Sequence, residues 1–140
     1  MTLRDRQEAL VAALVAGGPL PDGFSPEPVQ ATAAALAQKR SGEVAKAWPA
    51  LAAALGPDLP SLFTAWAAGR APAGSAADGW AFARSLGADL PERAAGELAA
   101  AEVRFVLGPA GVRRRSGPAL RRVPGGVVLQ IFGRIVRLGR

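Results

Sequence analysis

The 140-residue sequence contains no histidine, no cysteine and no tyrosine. These absences exclude imidazole and thiolate metal ligands, cysteine nucleophiles, serine–histidine relays and tyrosine acids, and they leave only carboxylates, lysine, arginine and hydroxyl groups for catalysis. An intrachain disulfide framework is excluded as well. We therefore expect that this chain is not an independent enzyme and that it binds no cofactor or metal of its own.

A membrane-spanning segment is also missing from the sequence. Half of the residues are hydrophobic, but no apolar run approaches the roughly 20 residues that cross a bilayer. A secretory signal would need a positively charged start, and here Asp5 and Glu8 interrupt the basic pair Arg4 and Arg6 before a short apolar run. The sequence therefore predicts a cytoplasmic protein with no membrane partner.

Acidic residues are nearly absent from the C-terminal end. Residues 101–140 hold nine arginines and a single acid, Glu102, whereas residues 1–100 hold slightly more acidic than basic residues. Such a patch attracts anionic partners, which include nucleic acid, an acidic peptide and an acidic protein surface. The charge alone does not choose among these three.

Helical spacing of apolar residues extends over most of the first hundred positions. Thr2 predicts the cap of a first helix over residues 3–16, and Pro26 predicts the first turn of a second helix that Ser41 and Gly42 weaken. The pair Trp48 and Pro49 predicts a kink or a restart of the helix, because a proline inside a helix costs about 3 kcal/mol. The structural core predicted from these stripes consists of Trp48, Pro49, Leu51, Leu55, Phe63, Trp66, Trp80 and Phe82. The alternative for the three tryptophans is that they anchor an interface.

From about residue 103 the apolar period changes from helical to two. The segments "VRFVL", "VRRR", "ALRRV", "VVLQIF" and "RIVRL" predict short antiparallel strands, and "PGG" predicts a type II turn. The predicted fold class is α+β, with an N-terminal bundle of about five helices followed by three to five short strands. We predict a helical domain over residues 1–102 and a basic antiparallel β region over residues 103–140.

The candidate partner-binding or peptide-binding residues are arginines. They are Arg40, Arg104, Arg113, Arg114, Arg115, Arg121 and Arg122. Guanidinium groups form bidentate pairs with carboxylates, although a solvated basic face or protection of an edge strand explains the same residues in the β region. For Arg40 the alternative is a side chain that caps helix carbonyls. An open strand edge can also bind an extended peptide, but the sequence does not say which edge is open.

Carboxylates offer only a weak case for catalysis. The acids in question are scattered near helix starts and on exposed faces: Asp78, Asp89, Glu92, Glu97 and Glu102. The glycine-containing segment "GPAGVRRRSG" lacks the lysine–hydroxyl ending of a phosphate-binding loop. A hydrolase that uses two of these acids is the third and least supported function.

The succession "LAQKRSGEVAKAWPALAAALGPDLPSLFTAWAAGRAP" and "ADGWAFARSL", with the later "PALRRVPGGVV", resembles the HvfC/BufC family, and above all its actinobacterial branch. The resemblance runs from about Leu36 to Val128. It implies a helical partner protein of a multinuclear non-haem iron-dependent oxidative enzyme, similar in role to the methanobactin partner MbnC. Such enzymes modify cysteine-containing residues of ribosomally made precursor peptides.

On this resemblance, the expected function is that of a non-catalytic accessory protein. It would form a heterodimer with the iron enzyme and help to recruit the precursor peptide, and the iron would belong to the enzyme. The alternative is a regulatory protein that binds nucleic acid through its arginine-rich end. Only Phe105 and Phe132 could stack on bases there, and no helix is predicted in the basic region to enter a groove.

Overall fold

A computed structural model describes residues 1–139, in which six α-helices are followed by five β-strands. The helices are α1 (Leu3–Ala16), α2 (Pro26–Ala47), α3 (Pro49–Leu55), α4 (Leu59–Ala67), α5 (Ser75–Leu86) and α6 (Glu92–Arg104). The strands are β1 (Phe105–Gly108), β2 (Gly111–Arg114), β3 (Ala119–Val123), β4 (Gly126–Ile131) and β5 (Arg134–Gly139). The predicted α+β class is confirmed, while Arg140, the last residue of the predicted β region, lies outside the described residues.

The first two helices begin where Thr2 and Pro26 predict. The hydroxyl of Thr2 accepts a hydrogen bond from the backbone N–H of Asp5 at 3.2 Å, and the Asp5 carboxylate accepts one from the N–H of Thr2 at 2.7 Å. This reciprocal pair satisfies two donors that a helix start leaves without partners, and the bond from the Thr2 backbone lowers the pKa of Asp5. Gly17, at φ 68°, ends α1, and Pro26 opens α2.

The predicted weakening of the second helix at Ser41 and Gly42 is wrong. α2 is continuous through both residues, and Ser41 is buried. An isolated glycine costs a helix about 1 kcal/mol, which packing can offset, and α2 packs against α1, α4 and α5. Tertiary contacts therefore outweigh the local propensity at this point.

The helix restarts at Pro49, as one of the two predicted outcomes requires. α2 ends at Ala47, Trp48 takes a non-helical conformation, and Pro49 is the first residue of α3. The next two backbone N–H groups, of Ala50 and Leu51, donate to the carboxylate of Glu97 on α6 at 3.1 and 2.8 Å. A carboxylate at a helix start is favoured by the unpaired N–H groups and the helix dipole. The cost of the proline is thus avoided, since an N1 residue needs no N–H partner.

The helical core contains most of the residues predicted for it. Trp48, Leu51, Phe63, Trp80 and Phe82 are buried, together with Val44, Leu59, Ala67, Ala83 and Ala94. Leu55 and Trp66 are partly buried and pack against this cluster. The placement of Pro49 in the core is wrong, because its ring is exposed at the start of α3. Its role is to fix the backbone at the restart.

Five short strands form two antiparallel sheets. One sheet has the order β1-β2, and the other has the order β3-β4-β5. Pro124 and Gly125 connect β3 to β4, and Gly125 has φ 76°, as the third position of the predicted type II turn requires. Phe132 and Gly133 connect β4 to β5 as a second two-residue turn.

The helical part runs slightly further than predicted. α6 continues to Arg104, so Val103 and Arg104 are helical and the first strand begins at Phe105. The physical reason is burial, because Val103 is fully buried against Val128 of β4 and packs in the same cluster as Ala99. α6 therefore crosses the predicted boundary at residue 102 and packs against β1, β3 and β4. The division into two domains stays a prediction.

Candidate partner-binding surface

Arg40, the only predicted binding residue outside the β region, lies in an internal ion pair. Its Nε and Nη2 atoms donate to the Asp78 carboxylate at 2.7 and 3.0 Å, and Nη1 and Nη2 donate to the carbonyls of Arg70 and Ala71 at 2.8 and 3.3 Å. Asp78 is 3% exposed and also accepts from the Ala73 N–H at 3.1 Å. These contacts make Arg40 an internal residue that joins α2 to α5 and to the loop before α5. The carbonyl groups that it binds belong to that loop and not to a helix end, so the alternative of helix capping is wrong as well.

Glu102, the only acid in the basic end, holds several arginines in place. Its carboxylate accepts hydrogen bonds from Arg84 of α5 at 2.7 Å and from Arg121 of β3 at 3.2 Å. Its backbone carbonyl accepts one from Arg115 at 3.2 Å. Two of the predicted binding arginines, Arg115 and Arg121, therefore help to attach the strands to α6.

The other four predicted binding arginines are exposed. They are Arg104 at the end of α6, Arg113 and Arg114 on β2, and Arg122 on β3. None of them forms an ion pair with another residue of the range 1–139. Because no described acidic side chain pairs with them, these four, rather than all seven, form the candidate anion-binding set. Their role in binding stays a prediction.

The three-stranded sheet packs one face on α6, and no helix of the described part of the chain covers its other face. Residues paired in an antiparallel register share a face. Val128 and Gln130 are buried on the α6 side, so their neighbours along β4 lie on the opposite face. We call this opposite side the outer sheet face; it consists of Leu120, Arg122, Val127, Leu129, Ile131, Arg134, Val136 and Leu138.

The outer sheet face is mainly apolar and is exposed. Leu120 is 51% exposed and Leu138 is 57% exposed, and Ile131 and Val136 are also open to solvent. Contiguous exposed apolar patches with a polar rim are typical of protein–protein contacts. This surface is not among the features predicted from the sequence. The signal for it lies in "RIVRL", where Val136 and Leu138 occupy alternate positions and therefore share one side of the strand.

A model of the family described as "SCO6045-like, C-terminal domain" matches residues 4–88. The chain belongs to this family. The matched stretch contains α1 to α5, including the Arg40–Asp78 pair and the Trp48–Pro49 restart, and it ends before α6 and the strands. The match thus covers five of the six helices, whereas α6 and the arginine-rich strands lie beyond it. The resemblance to HvfC/BufC proteins stays a prediction.

No curated protein and no solved structure matches the chain significantly. The assignment of any site therefore depends on the geometry of this chain and on the SCO6045-like family match.

The carboxylates considered for catalysis lie in separate places. Asp78 pairs with Arg40, Glu97 caps α3, and Glu102 pairs with arginines of α5 and β3. Asp89 and Glu92 are exposed near the start of α6. Within residues 1–139, no three acidic side chains are grouped so that they could hold a metal ion, and no helix is both long and apolar enough to cross a membrane.

Phe132 lies at the tip of the β4–β5 hairpin, where its ring is 99% exposed. Its φ is 49°, in the left-handed region, and Gly133 follows at φ 78°. This two-residue turn favours asparagine followed by glycine, because a bulky residue with positive φ is strained. Phe132 is thus a fully exposed aromatic residue at a position where asparagine would make the folded chain more stable. Such a conflict is typical of functional surfaces.

We expect Phe132→Asn to raise the free energy of unfolding by about 1 kcal/mol, because asparagine adopts the left-handed conformation with less strain. Urea denaturation followed by circular dichroism measures this change. The matched control is Phe132→Ala, which removes the ring but keeps a side chain that is strained at positive φ. Equal stabilisation by both variants would show that loss of the exposed ring, and not relief of strain, is responsible.

Proposed function

We propose that this chain is a non-catalytic accessory protein that binds a peptide-modifying enzyme and the peptide which that enzyme modifies. The observation that carries the proposal is the combination of an exposed apolar sheet face with exposed arginines that form no ion pair within residues 1–139. The resemblance described above supports a more specific form. In that form the enzyme is a multinuclear non-haem iron-dependent oxidative enzyme, and its substrate is a ribosomally made, cysteine-containing precursor peptide.

The chemistry of the chain supports a division of labour in such a complex. Without histidine, cysteine or tyrosine the chain is poorly equipped to bind iron or to carry out redox steps. We therefore assign the iron and the oxidation to the enzyme, and recognition to this chain. A cytoplasmic location is part of the proposal.

The open edge of β5 supports binding of an extended peptide. β5 is the last strand of its sheet and is exposed along its whole length. A peptide that adds to this edge gains main-chain hydrogen bonds and places alternate side chains near Val136 and Leu138. A second copy of this chain is disfavoured there, because two β5 edges would bring together the cationic Arg134 and Arg137 of each copy. A peptide strand that is acidic or neutral, and that has apolar side chains at alternate positions, fits the β5 edge better than a second copy of β5 does.

Co-purification tests the proposal. The tagged chain is co-expressed with a multinuclear non-haem iron enzyme and with that enzyme's precursor peptide, and we expect a stable complex on size-exclusion chromatography. Val136→Lys combined with Leu138→Lys should abolish retention of the peptide or of the enzyme, because lysine charges would be buried at the contact. The control is Val11→Lys on α1, which is also an exposed apolar residue but lies outside the β region.

The absence of any complex with such an enzyme would contradict the proposed function. If the complex forms but the two lysine substitutions leave both components bound, the accessory role stands and the outer sheet face is not the contact. Both variants alter exposed side chains only, so their folding can be checked by thermal melting before the comparison.

A second candidate function is nucleic-acid binding. The exposed ring of Phe132 favours it, because Phe132 lines the same cavity as Arg104 and Arg114. Aromatic rings and basic grooves are the common elements of single-strand binding sites. Under our proposal, binding of a short oligothymidine is purely electrostatic and falls by roughly 10³-fold between low and moderate salt. Sequence-selective binding that survives moderate salt would favour the nucleic-acid function instead.

A further inference from the structure

The pairing of β4 with β5 determines which main-chain groups of β5 face outwards. The two strands are joined by the two-residue turn of Phe132 and Gly133, whose φ values are 49° and 78°. Such a turn is closed by a pair of residues that exchange both hydrogen bonds, and bonded and non-bonded pairs then alternate along the two strands. Val136 and Leu138 therefore direct their N–H and C=O groups towards β4.

The N–H and C=O groups of Ile135 and Arg137 point in the opposite direction, away from β4. β5 is the last strand in the order β3-β4-β5, and within residues 1–139 no other main-chain group bonds to these groups. The opposite edge of the sheet is less open, because the carbonyl of Leu120 on β3 accepts a hydrogen bond of 2.9 Å from the Arg121 guanidinium. The β5 edge thus offers unpaired donors and acceptors in alternation, and an extended polypeptide is the partner that supplies the matching series.

The side chains of β5 define two kinds of position on a strand that adds to this edge. Arg137 pairs with Val128, which is buried on the α6 side, so the Arg137 side chain lies on that side. Its neighbours Val136 and Leu138 lie on the outer sheet face. An added strand alternates in the same way. Its residue opposite Arg137 therefore has its side chain on the α6 side, and the two flanking residues have theirs beside Val136 and Leu138.

The guanidinium of Arg137 lies against Gly96 of α6 and is available for an ion pair. A Cβ atom at residue 96 would lie 3.2 Å from Nη1 of Arg137, so the glycine leaves the space in which the guanidinium lies. Arg137 is exposed, and no carboxylate within residues 1–139 forms an ion pair with it. Opposite charges at directly opposed positions of an antiparallel pair attract each other. Aspartate or glutamate therefore fits best opposite Arg137.

We propose that the β5 edge binds a peptide segment in which an acidic residue lies between two apolar residues, and that this segment adds antiparallel to β5 with the acid opposite Arg137. Antiparallel addition continues the pairing of this sheet and is slightly more stable per residue than parallel addition. The main chain of the acidic residue bonds to that of Arg137, its carboxylate pairs with the guanidinium, and the apolar side chains cover Val136 and Leu138. The inference rests on the proposed function and deepens it, because it names the sequence pattern of the peptide.

Two peptides of identical composition test this pattern by NMR titration of the isotopically labelled chain. The probe is Thr-Val-Glu-Val-Thr with blocked termini, in which the glutamate and the valines lie on opposite faces of a strand. The control is Val-Thr-Glu-Thr-Val, in which they lie on the same face. We expect the probe to bind about tenfold more tightly, because the control cannot pair with Arg137 and cover the outer sheet face at once. Equal affinities would overturn the proposal in favour of a diffuse charge effect.

The amide signals of β5 report the main-chain contact. Binding of the probe should shift the N–H signals of Ile135 and Arg137 and slow their exchange with solvent, while those of Val136 and Leu138, already bonded to β4, should change less. N-methylation of the glutamate removes the donor that faces β5 and should weaken binding about tenfold. N-methylation of the following valine changes an N–H that points away from β5 and should weaken binding by less than about twofold. The reverse order of these two peptides would overturn the proposed arrangement.

Arg137 and Arg134 provide a matched pair of variants. Arg137→Gln should weaken binding of the probe about threefold to fivefold, the range expected for an exposed ion pair. Arg134→Gln removes the same charge from the same strand, but Arg134 lies on the outer sheet face, and the loss should be less than about twofold. Arg137→Glu should reverse the preference, so that Thr-Val-Lys-Val-Thr binds more tightly than the probe. A preference for glutamate that survives in Arg137→Glu would overturn the role of Arg137.

The remaining outcomes also decide the matter. If the amide groups of Ile135 and Arg137 are already protected in the free chain at high concentration, a second copy occupies the edge and the proposal is wrong. It is also wrong if oligothymidine shifts these amide signals more strongly than the probe does. Failure of both peptides to bind while the enzyme complex still forms would remove this peptide site alone. Binding of the probe without any enzyme complex would support the site and remove the proposed function.

Discussion

Replacement of Asp78 with alanine is expected to lower the free energy of unfolding by about 3–5 kcal/mol, the usual cost of breaking a buried ion pair by removing one partner. The side chains of Asp78 and Arg40 are only 3% and 13% exposed. Without the carboxylate, the Arg40 guanidinium stays largely shielded from water without a counter-charge, and the N–H of Ala73 loses its acceptor. The pair joins α2 to α5, so its loss weakens a central contact of the helical part. Urea denaturation with circular dichroism detection measures the change.

Two further variants separate the ion pair from a general effect of charge removal. Glu43→Ala breaks the ion pair with Lys46, in which the Lys46 and Glu43 side chains are 75% and 51% exposed. This variant should change the free energy of unfolding by less than about 1 kcal/mol. Arg40→Met combined with Asp78→Ala removes both buried charges and should recover much of the loss, because an apolar replacement of a whole buried pair is often near neutral. A double variant as unstable as Asp78→Ala alone would show that packing, rather than the unpaired charge, determines the cost.

Local signals in the sequence predicted the parts of the fold that depend on neighbours in the chain. The capping pair at Thr2, the proline that opens α2, the restart at Pro49 and the turn at Gly125 all appear where expected. Each depends on a backbone preference within a few residues. The alternation of apolar residues likewise predicted the β region, although the burial of Val103 moved its start by two residues.

Contacts between distant positions were not predictable from one sequence. Glu97 was considered only as a scattered acid, yet it caps α3 from a position 46 and 47 residues away. The Arg40–Asp78 pair spans 38 residues, and neither partner has a local pattern that points to the other. Such contacts depend on how the helices pack, and many sequences with the same periodicity would pack without them.

The position of the candidate site was also not predictable from the sequence alone. The excess of arginine at the C-terminal end was evident from the sequence, and it predicted an anionic partner. Which arginines are available to that partner is a tertiary property, because Glu102 engages Arg115 and Arg121, while no described acidic side chain pairs with Arg114. The outer sheet face and the open edge of β5 also appear only when strands pair in a definite register. Composition thus predicts the sign of the partner's charge, and the fold determines where it binds.

The second large effect concerns the contact between Trp48 and Gly79. Trp48→Ala should lower the free energy of unfolding by about 3–5 kcal/mol, because the ring is buried and packs edge-on against Trp80. Its indole N–H also donates to the carbonyl of Ala76 at 3.1 Å. Gly79→Ala should cost about 1–3 kcal/mol or more, because a Cβ atom at residue 79 would overlap the Trp48 ring. The two residues therefore occupy one continuous space between α3 and α5.

A double-mutant cycle makes this interpretation testable. In the Trp48→Ala background the overlap is gone, so Gly79→Ala should cost little or even stabilise, since alanine is favoured over glycine in a helix by about 1 kcal/mol. The expected coupling is about 1–3 kcal/mol. Gly42→Ala on α2 makes the same chemical change where nothing lies within 4 Å, and it should stabilise both backgrounds equally by about 1 kcal/mol. Additive effects of Trp48→Ala and Gly79→Ala would mean that the glycine is not required by the close approach of the ring. Coupling confined to this pair would establish that α5 carries a glycine here so that the tryptophan at the helix restart can enter the core.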